Sequence, residues 1–169
     1  VQITGSVKCS ECHGLKVLGN QQKQWLDSKH SEAYKSLLTE KAKSFTKQKG
    51  MEDPDKNELC IKCHTTKGFL KIENNDRAYD ISEGVGCESC HGPGKAHVDG
   101  GGDKTKIKIF LNMNSKAVSE TCLSCHAGRE NHNNFRRGEH WRNNVGCTDC
   151  HSAHGTVAEN FKPGSTVFV

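Results

Sequence analysis

The sequence is poor in the side chains that build an ordinary core. Leu, Ile, Val and Phe together supply 31 of its 169 residues, about 18%, and aromatic residues only 6%. A chain so short of apolar side chains and so charged reads as disordered unless something other than its own residues fills the interior. No apolar run approaches the roughly eighteen residues of a membrane-spanning helix, so no transmembrane segment is expected. No alternating run is long enough for a real sheet, which leaves helices and loops. A formal charge of +4 and a pI of about 8.5 are too modest to argue for nucleic acid. Apart from the residues described next, no set of side chains forms a recognisable catalytic constellation.

Cysteine and histidine, by contrast, are abundant, with ten of each. All ten cysteines fall into five copies of one pattern: Cys9, Cys12, His13; Cys60, Cys63, His64; Cys87, Cys90, His91; Cys122, Cys125, His126; and Cys147, Cys150, His151. A four-cysteine zinc site needs such pairs in even number and no trailing histidine, so an odd set of five with one histidine each argues against zinc. On a helical turn, cysteines three apart share a face and can both form thioethers to the vinyl groups of one porphyrin, while the next residue faces the iron. The reading is five covalently attached haem c groups, with His13, His64, His91, His126 and His151 as proximal iron ligands.

Five macrocycles supply the missing apolar volume. The expected fold class is therefore mainly α with much irregular structure, a compact multihaem cytochrome c fold whose core is filled by haem. Each ferric haem with ionised propionates adds about −1 and each ferrous one about −2, so the holo-protein carries roughly −1 oxidised and about −6 reduced. With every cysteine consumed by thioethers, disulfides are not expected. Covalent attachment implies export to the periplasm or beyond the cell, and Val1 in place of an initiator methionine fits a removed signal peptide.

Removing the five proximal histidines leaves five more: His30, His97, His132, His140 and His154. One spare histidine per iron makes every haem bis-histidine. With only Met51 and Met113 available, the His/Met ligation that raises potentials cannot be general, and potentials should lie low. His97 and His154 follow their motifs too closely, in "HGPGKAH" and "HSAH", to reach the far side of their own iron, so they serve neighbouring haems. His140 stands beside Trp141, and His132, in "ENHNNF", has the most polar setting, where a solvent-exposed loop histidine is the alternative.

The chain also repeats itself. "NELCIKCH" and "VGCESCH" recur as "SETCLSCH" and "VGCTDCH", at offsets of 62 and 60 residues. This divides a single domain over residues 1–169 into 1–56 with the first haem, 57–118 with haems two and three, and 119–169 with haems four and five. Leu26, His30, Ala33, Tyr34, Leu37 and Leu38 fall on one face of a helix over residues 22–45, with His30 inward. Asp53 and Pro54 read as the cap and first residue of a helix delivering Cys60 to His64. Residues 92–94 and 99–104 read as loops. Lys35, Lys41, Lys43, Lys47, Lys49 and Lys56 crowd one region, as a solvated face or a docking patch for an acidic redox partner.

The run "KCSECH", then Trp25, Ser28 and His30 in "WLDSKH", then "GVGCESCHGPG" resembles the cytochrome c554 family of tetrahaem electron carriers, over residues 8 to 126 and four of the five motifs. The resemblance implies a largely helical, haem-stacked fold with irons close enough for rapid electron hopping. It implies His97 as distal ligand of the first haem and His30 as that of the fourth, and a second haem without a distal protein ligand. The chain departs from the family in its ending, "HWRNNVGCTDCHSAHG", which adds a fifth motif and resembles the pentahaem halves of decahaem outer-membrane conduits. The extra histidines there are available to close the iron on His64.

The function expected is electron transfer along stacked bis-histidine haems to redox partner proteins, without enzymatic activity. One alternative is a subunit of an extracellular cytochrome filament, with His132 or His30 bridging to the next copy. Another is a haem enzyme whose open iron, on His64, acts on a small nitrogen compound such as nitric oxide or hydroxylamine. Intact mass and a pyridine haemochrome assay are expected to return five haems per chain; fewer than five would sink the motif reading.

Overall fold

A computed structural model describes residues 2–72, 79–128 and 132–154. Among them the chain is mainly helical and contains no strand. The helices are short: α1 Ser6–His13, α2 Gln21–Leu26, α3 Ala33–Leu37, α4 Glu40–Gln48, α5 Glu58–His64, α6 Thr66–Leu70, α7 Cys87–His91, α8 Lys95–Asp99, α9 Ser115–His126 and α10 Glu139–Arg142. Single 3-10 turns at Lys16–Leu18, Ile81–Glu83, Lys104–Lys106, Phe135–Arg137 and Cys147–Asp149 punctuate them. The chain divides into two compact units, residues 1–108 with the first three motifs and 109–169 with the last two.

The single helix expected over 22–45 is instead three. Between α2 and α3, Ser28 Oγ donates to the Trp25 carbonyl, and Ser31 Oγ to those of Leu26 and Ser28, so hydroxyls take the acceptors that a continuing helix would need. Thr39 then opens α4 by accepting the Ala42 amide at 3.2 Å. Likewise Asp53 is not the cap of the second motif's helix. Its carbonyl closes a turn on the amides of Lys56 and Asn57, and Asn57 is the cap, its side chain accepting the Leu59 amide at 2.9 Å.

Apolar packing is as thin as the composition demands. In the first unit, Ile3, Ile72 and Tyr79 form a small buried cluster to which Leu70 and Ile81 add. In the second, Val118 and Leu123 on α9 are buried. Larger apolar side chains beside the motifs face outward: Val17 is 87% exposed, Leu59 75% and Val7 70%.

Polar anchors carry the precision instead. Glu88, inside the third motif, is 1% exposed. Its carboxylate accepts the amides of Thr4 at 3.0 Å, Gly5 at 2.9 Å and Gly94 at 2.5 Å, which ties the N-terminal segment to both ends of α7. A charge buried this deeply is tolerable because several amides replace its water. Truncation by Glu88→Ala strands those donors, and a loss of about 3 kcal/mol or more is expected in chemical denaturation of the haem-loaded protein.

Candidate haem centres

All five motifs adopt helical or 3-10 turns, which bring each cysteine pair to one face. What the spacing within a motif cannot show is how one motif meets another. The Cys87 amide donates to Ser6 Oγ at 3.1 Å, and Ser6 lies three residues ahead of Cys9. The Cys147 amide donates to Ser119 Oγ at 2.9 Å, and Ser119 lies three residues ahead of Cys122. The two "VGC" motifs therefore dock in the same way, the third on the first and the fifth on the fourth. The sequence repeat had grouped the third with the second.

Glycine before the cysteine permits this approach. A Cβ on Gly86 would collide with Ser6 Oγ, and one on Gly146 would come within 2.6 Å of both Ser119 Oγ and the Ser115 carbonyl. The second motif also holds the third, through the residue pair that follows it. Thr66 Oγ1, fully buried, accepts the Gly86 amide at 2.8 Å and the Ser89 hydroxyl at 3.0 Å. Trp25, quoted above for its resemblance to the family, donates its indole N–H to the Val85 carbonyl at 2.8 Å. The sulfurs of the first and third motifs meet. The Cys9 thiol is pushed far up, chiefly by hydrogen bonding with Cys87, whose own thiol is lowered, first by that same bond.

The histidines fit iron in two respects. Three hold Nδ1 against a backbone carbonyl: His64 to Ala33 at 2.9 Å, His91 to Lys108 at 2.8 Å and His97 to Asp103 at 2.9 Å. A carbonyl can only accept, so Nδ1 carries the proton and the Nε2 lone pair is left for a metal. Burial lowers the pKa of His30 and of His91, which keeps each imidazole in the neutral form that ligation requires.

Ring spacing is the second respect. An iron between two imidazoles, with metal–nitrogen bonds of ~2.0 Å, sets the ring centroids about 6.3 Å apart. His13 and His97 are separated by 6.5 Å, and His126 and His132 by 6.2 Å. His132 Nδ1 is buried with no hydrogen-bond partner among the described residues. The polar loop setting of His132 thus gave a poor indication of its surroundings. The resemblance points to His30 for the fourth haem, and the structure brings the ring of His132 to that of His126. His64 differs: its contacts are Ala33 and Ser36, and among the described residues no second imidazole pairs with it. His140 stacks on Phe135, 6.5 Å between centroids, and His151 and His154 lie at the C-terminal limit of the described residues.

Glu83, Glu88, Thr66, Ser6 and Ser119 were not singled out from the sequence. For the two serines a signal existed, since "SVKCSECH" and "SETCLSCH" share Ser-x-x-Cys ahead of the motif.

The chain matches the family model described as cytochrome c554 and c-prime over residues 8–92 and 97–152. It is similar to cytochrome c-554 of Nitrosomonas europaea, 34% identical over 75% of this chain and 58% of that protein. It is also similar to the C-type polyheme cytochrome OmcC of Geobacter sulfurreducens, 33% identical over 58% of this chain and 14% of the relative. The multiheme cytochrome MtrA of Shewanella baltica is 27% identical over 91% of this chain and 38% of its own length. The chain thus spans between about a seventh and three fifths of these relatives. No solved structure matches it.

Replacing either serine by alanine removes the acceptor of a motif's first amide, and each change is expected to cost about 1 kcal/mol of holo-protein stability. Gly146→Ala, which forces a Cβ onto a backbone carbonyl, is expected to cost about 1–3 kcal/mol in the same denaturation measurement.

Proposed function

Since the chain belongs to the cytochrome c554 and c-prime family of multihaem electron-transfer cytochromes, we propose that it carries five haems and passes electrons among them to redox partner proteins outside the cytoplasm. The observation that carries this reading is the pair of imidazole couples at the spacing of a ligated iron, His13 with His97 and His126 with His132. His97 is then the distal ligand of the first haem and His132 that of the fourth. His30, His140 and His154 are left to serve the other irons. The haems on the first and third motifs form one close pair and those on the fourth and fifth another, because a serine joins the motifs within each pair. Haem supplies the one-electron chemistry. The residues fix the tautomers of its ligands, cover its faces and set its neighbours.

The ligation of the fourth haem favours a discrete carrier over a filament subunit. His132 sits beside His126 of its own chain and is not left to reach a neighbouring copy. Five propionate-bearing haems turn the formal charge negative, so the lysines of α4 act as a local patch on an acidic molecule.

A second reading is favoured by His64. With no second imidazole beside it among the described residues, an iron held by this histidine would keep one coordination position for a small ligand, which is the enzyme-like alternative. Electron paramagnetic resonance and carbon monoxide binding test both readings. His97→Ala and His132→Ala are each expected to add one high-spin, carbon monoxide-binding haem. If neither does, the proposed ligation is wrong. One such haem already present in the unsubstituted protein establishes the open site on His64, and a fully low-spin protein removes it.

A further inference from the structure

The mechanism leaves one half-buried carboxylate without a task. Glu83 ends the 3-10 turn Ile81–Glu83, directly ahead of the "VGC" segment of the third motif. Its Oε2 accepts the Ser6 amide at 2.9 Å at the start of α1. Its Oε1 is buried against Gly86 and has no hydrogen-bond partner among the described residues. Ser6 is the same residue whose hydroxyl receives the Cys87 amide, so Glu83 stands at the joint between the first and third motifs.

We propose that Glu83 is a proton-binding site linked to reduction of the haems on the first and third motifs. An electron delivered by a one-electron donor lowers the charge of a haem by one. Glu83 then takes one proton from water at Oε1, its carboxylate becoming a neutral carboxyl, and gives the proton back when the electron leaves. The proposal rests on the pairing of these two haems set out above.

Electrostatics favour the exchange. Burial raises the Glu83 pKa to about 7, against the Ser6 hydrogen bonds, and the Glu88 and Asp80 carboxylates push in the same upward direction. Tyr79, next to it, is itself raised to about 12 and stays neutral. Among the cations on the packed elements, Lys8 on α1 pairs with Glu11 and Lys35 on α3 with Glu32, while Lys67 on α6 meets the Tyr79 hydroxyl through its amide. Cys9 and Cys87 carry no thiol proton once they are thioethers. A group already balanced near neutrality, at the joint of two motifs whose haems would each gain an electron, must bind its proton more tightly in the reduced state.

The test is a spectroelectrochemical titration of the haem-loaded protein across about pH 6 to 9, with haem content measured first. The unsubstituted protein is expected to show midpoint potentials that fall as pH rises through this window. In Glu83→Gln, which keeps an acceptor for the Ser6 amide, the slope should be at least roughly halved, with potentials at high pH held near the low-pH values of the unsubstituted protein. An unchanged slope in Glu83→Gln, or potentials of the parent protein that do not depend on pH, overturns the proton site and leaves the electron-transfer reading standing. A parent protein without haem on the first or third motif overturns both. If Glu83→Gln fails to assemble, Glu83→Asp decides: moving the carboxyl by one methylene must shift the pH range of the slope, and an unmoved range overturns the proposal.

Discussion

A serine hydroxyl that accepts the first amide of a neighbouring attachment motif is the contact on which the arrangement of this protein turns. Ser6 does this for Cys87 and Ser119 for Cys147. Each bond is modest, but its position is not. It fixes the start of one helical turn against the start of another, and so sets where two macrocycles lie relative to each other. The glycine before each cysteine is what allows the backbone so close, since a Cβ would occupy the place of the hydroxyl. In the first unit the same joint is reinforced from three sides, by Glu88 on the N-terminal amides, by Thr66 on the Gly86 amide and by Trp25 on the Val85 carbonyl.

This reliance on polar anchors follows from the composition. A chain with so few aliphatic residues cannot position its elements by packing alone, and its largest described cluster joins only Ile3, Ile72 and Tyr79 with two partly buried neighbours. Apolar side chains next to the motifs are turned outward, toward the volume the cofactors take. Covalent attachment then makes the cofactor part of the chain, and the polypeptide works as a scaffold that holds irons at fixed separations. The ion pairs among the described residues join side chains at least a third exposed and add little to this.

The same anchors shape electron transfer. Carbonyls on Nδ1 of His64, His91 and His97 hold the rings in one tautomer, which fixes both ligand orientation and basicity. A carboxylate placed at the joint of two motifs, as Glu83 is, lets the protein exchange a proton where it exchanges an electron. The short helices matter here chiefly as carriers of these groups.

How much of this was legible beforehand differs by residue. The five motifs, the covalent cofactor and the proximal histidines follow from local spacing, because both thioethers and the axial ligand belong to one helical turn. The helical fold class follows from the absence of alternating runs. Helix ends were less accessible: Ser28 and Ser31 break a periodic stretch through hydroxyl bonds that no periodicity reports, and Asn57 rather than Asp53 caps the second motif. The linear repeat tied the third motif to the second, and Thr66, just after the second, does hold it, but the bond from the Cys87 amide to Ser6, 81 residues away, is one that no repeat reports. His132, whose polar neighbours in the chain pointed equally to solvent, comes to the ring of His126 with its Nδ1 buried. Sequence alone thus determined the five motifs and the class of cofactor they call for, since that chemistry is local. Tertiary structure alone decided which motifs and histidines face one another, since those contacts join residues far apart in the chain and depend on where each hydroxyl, amide and carbonyl comes to rest.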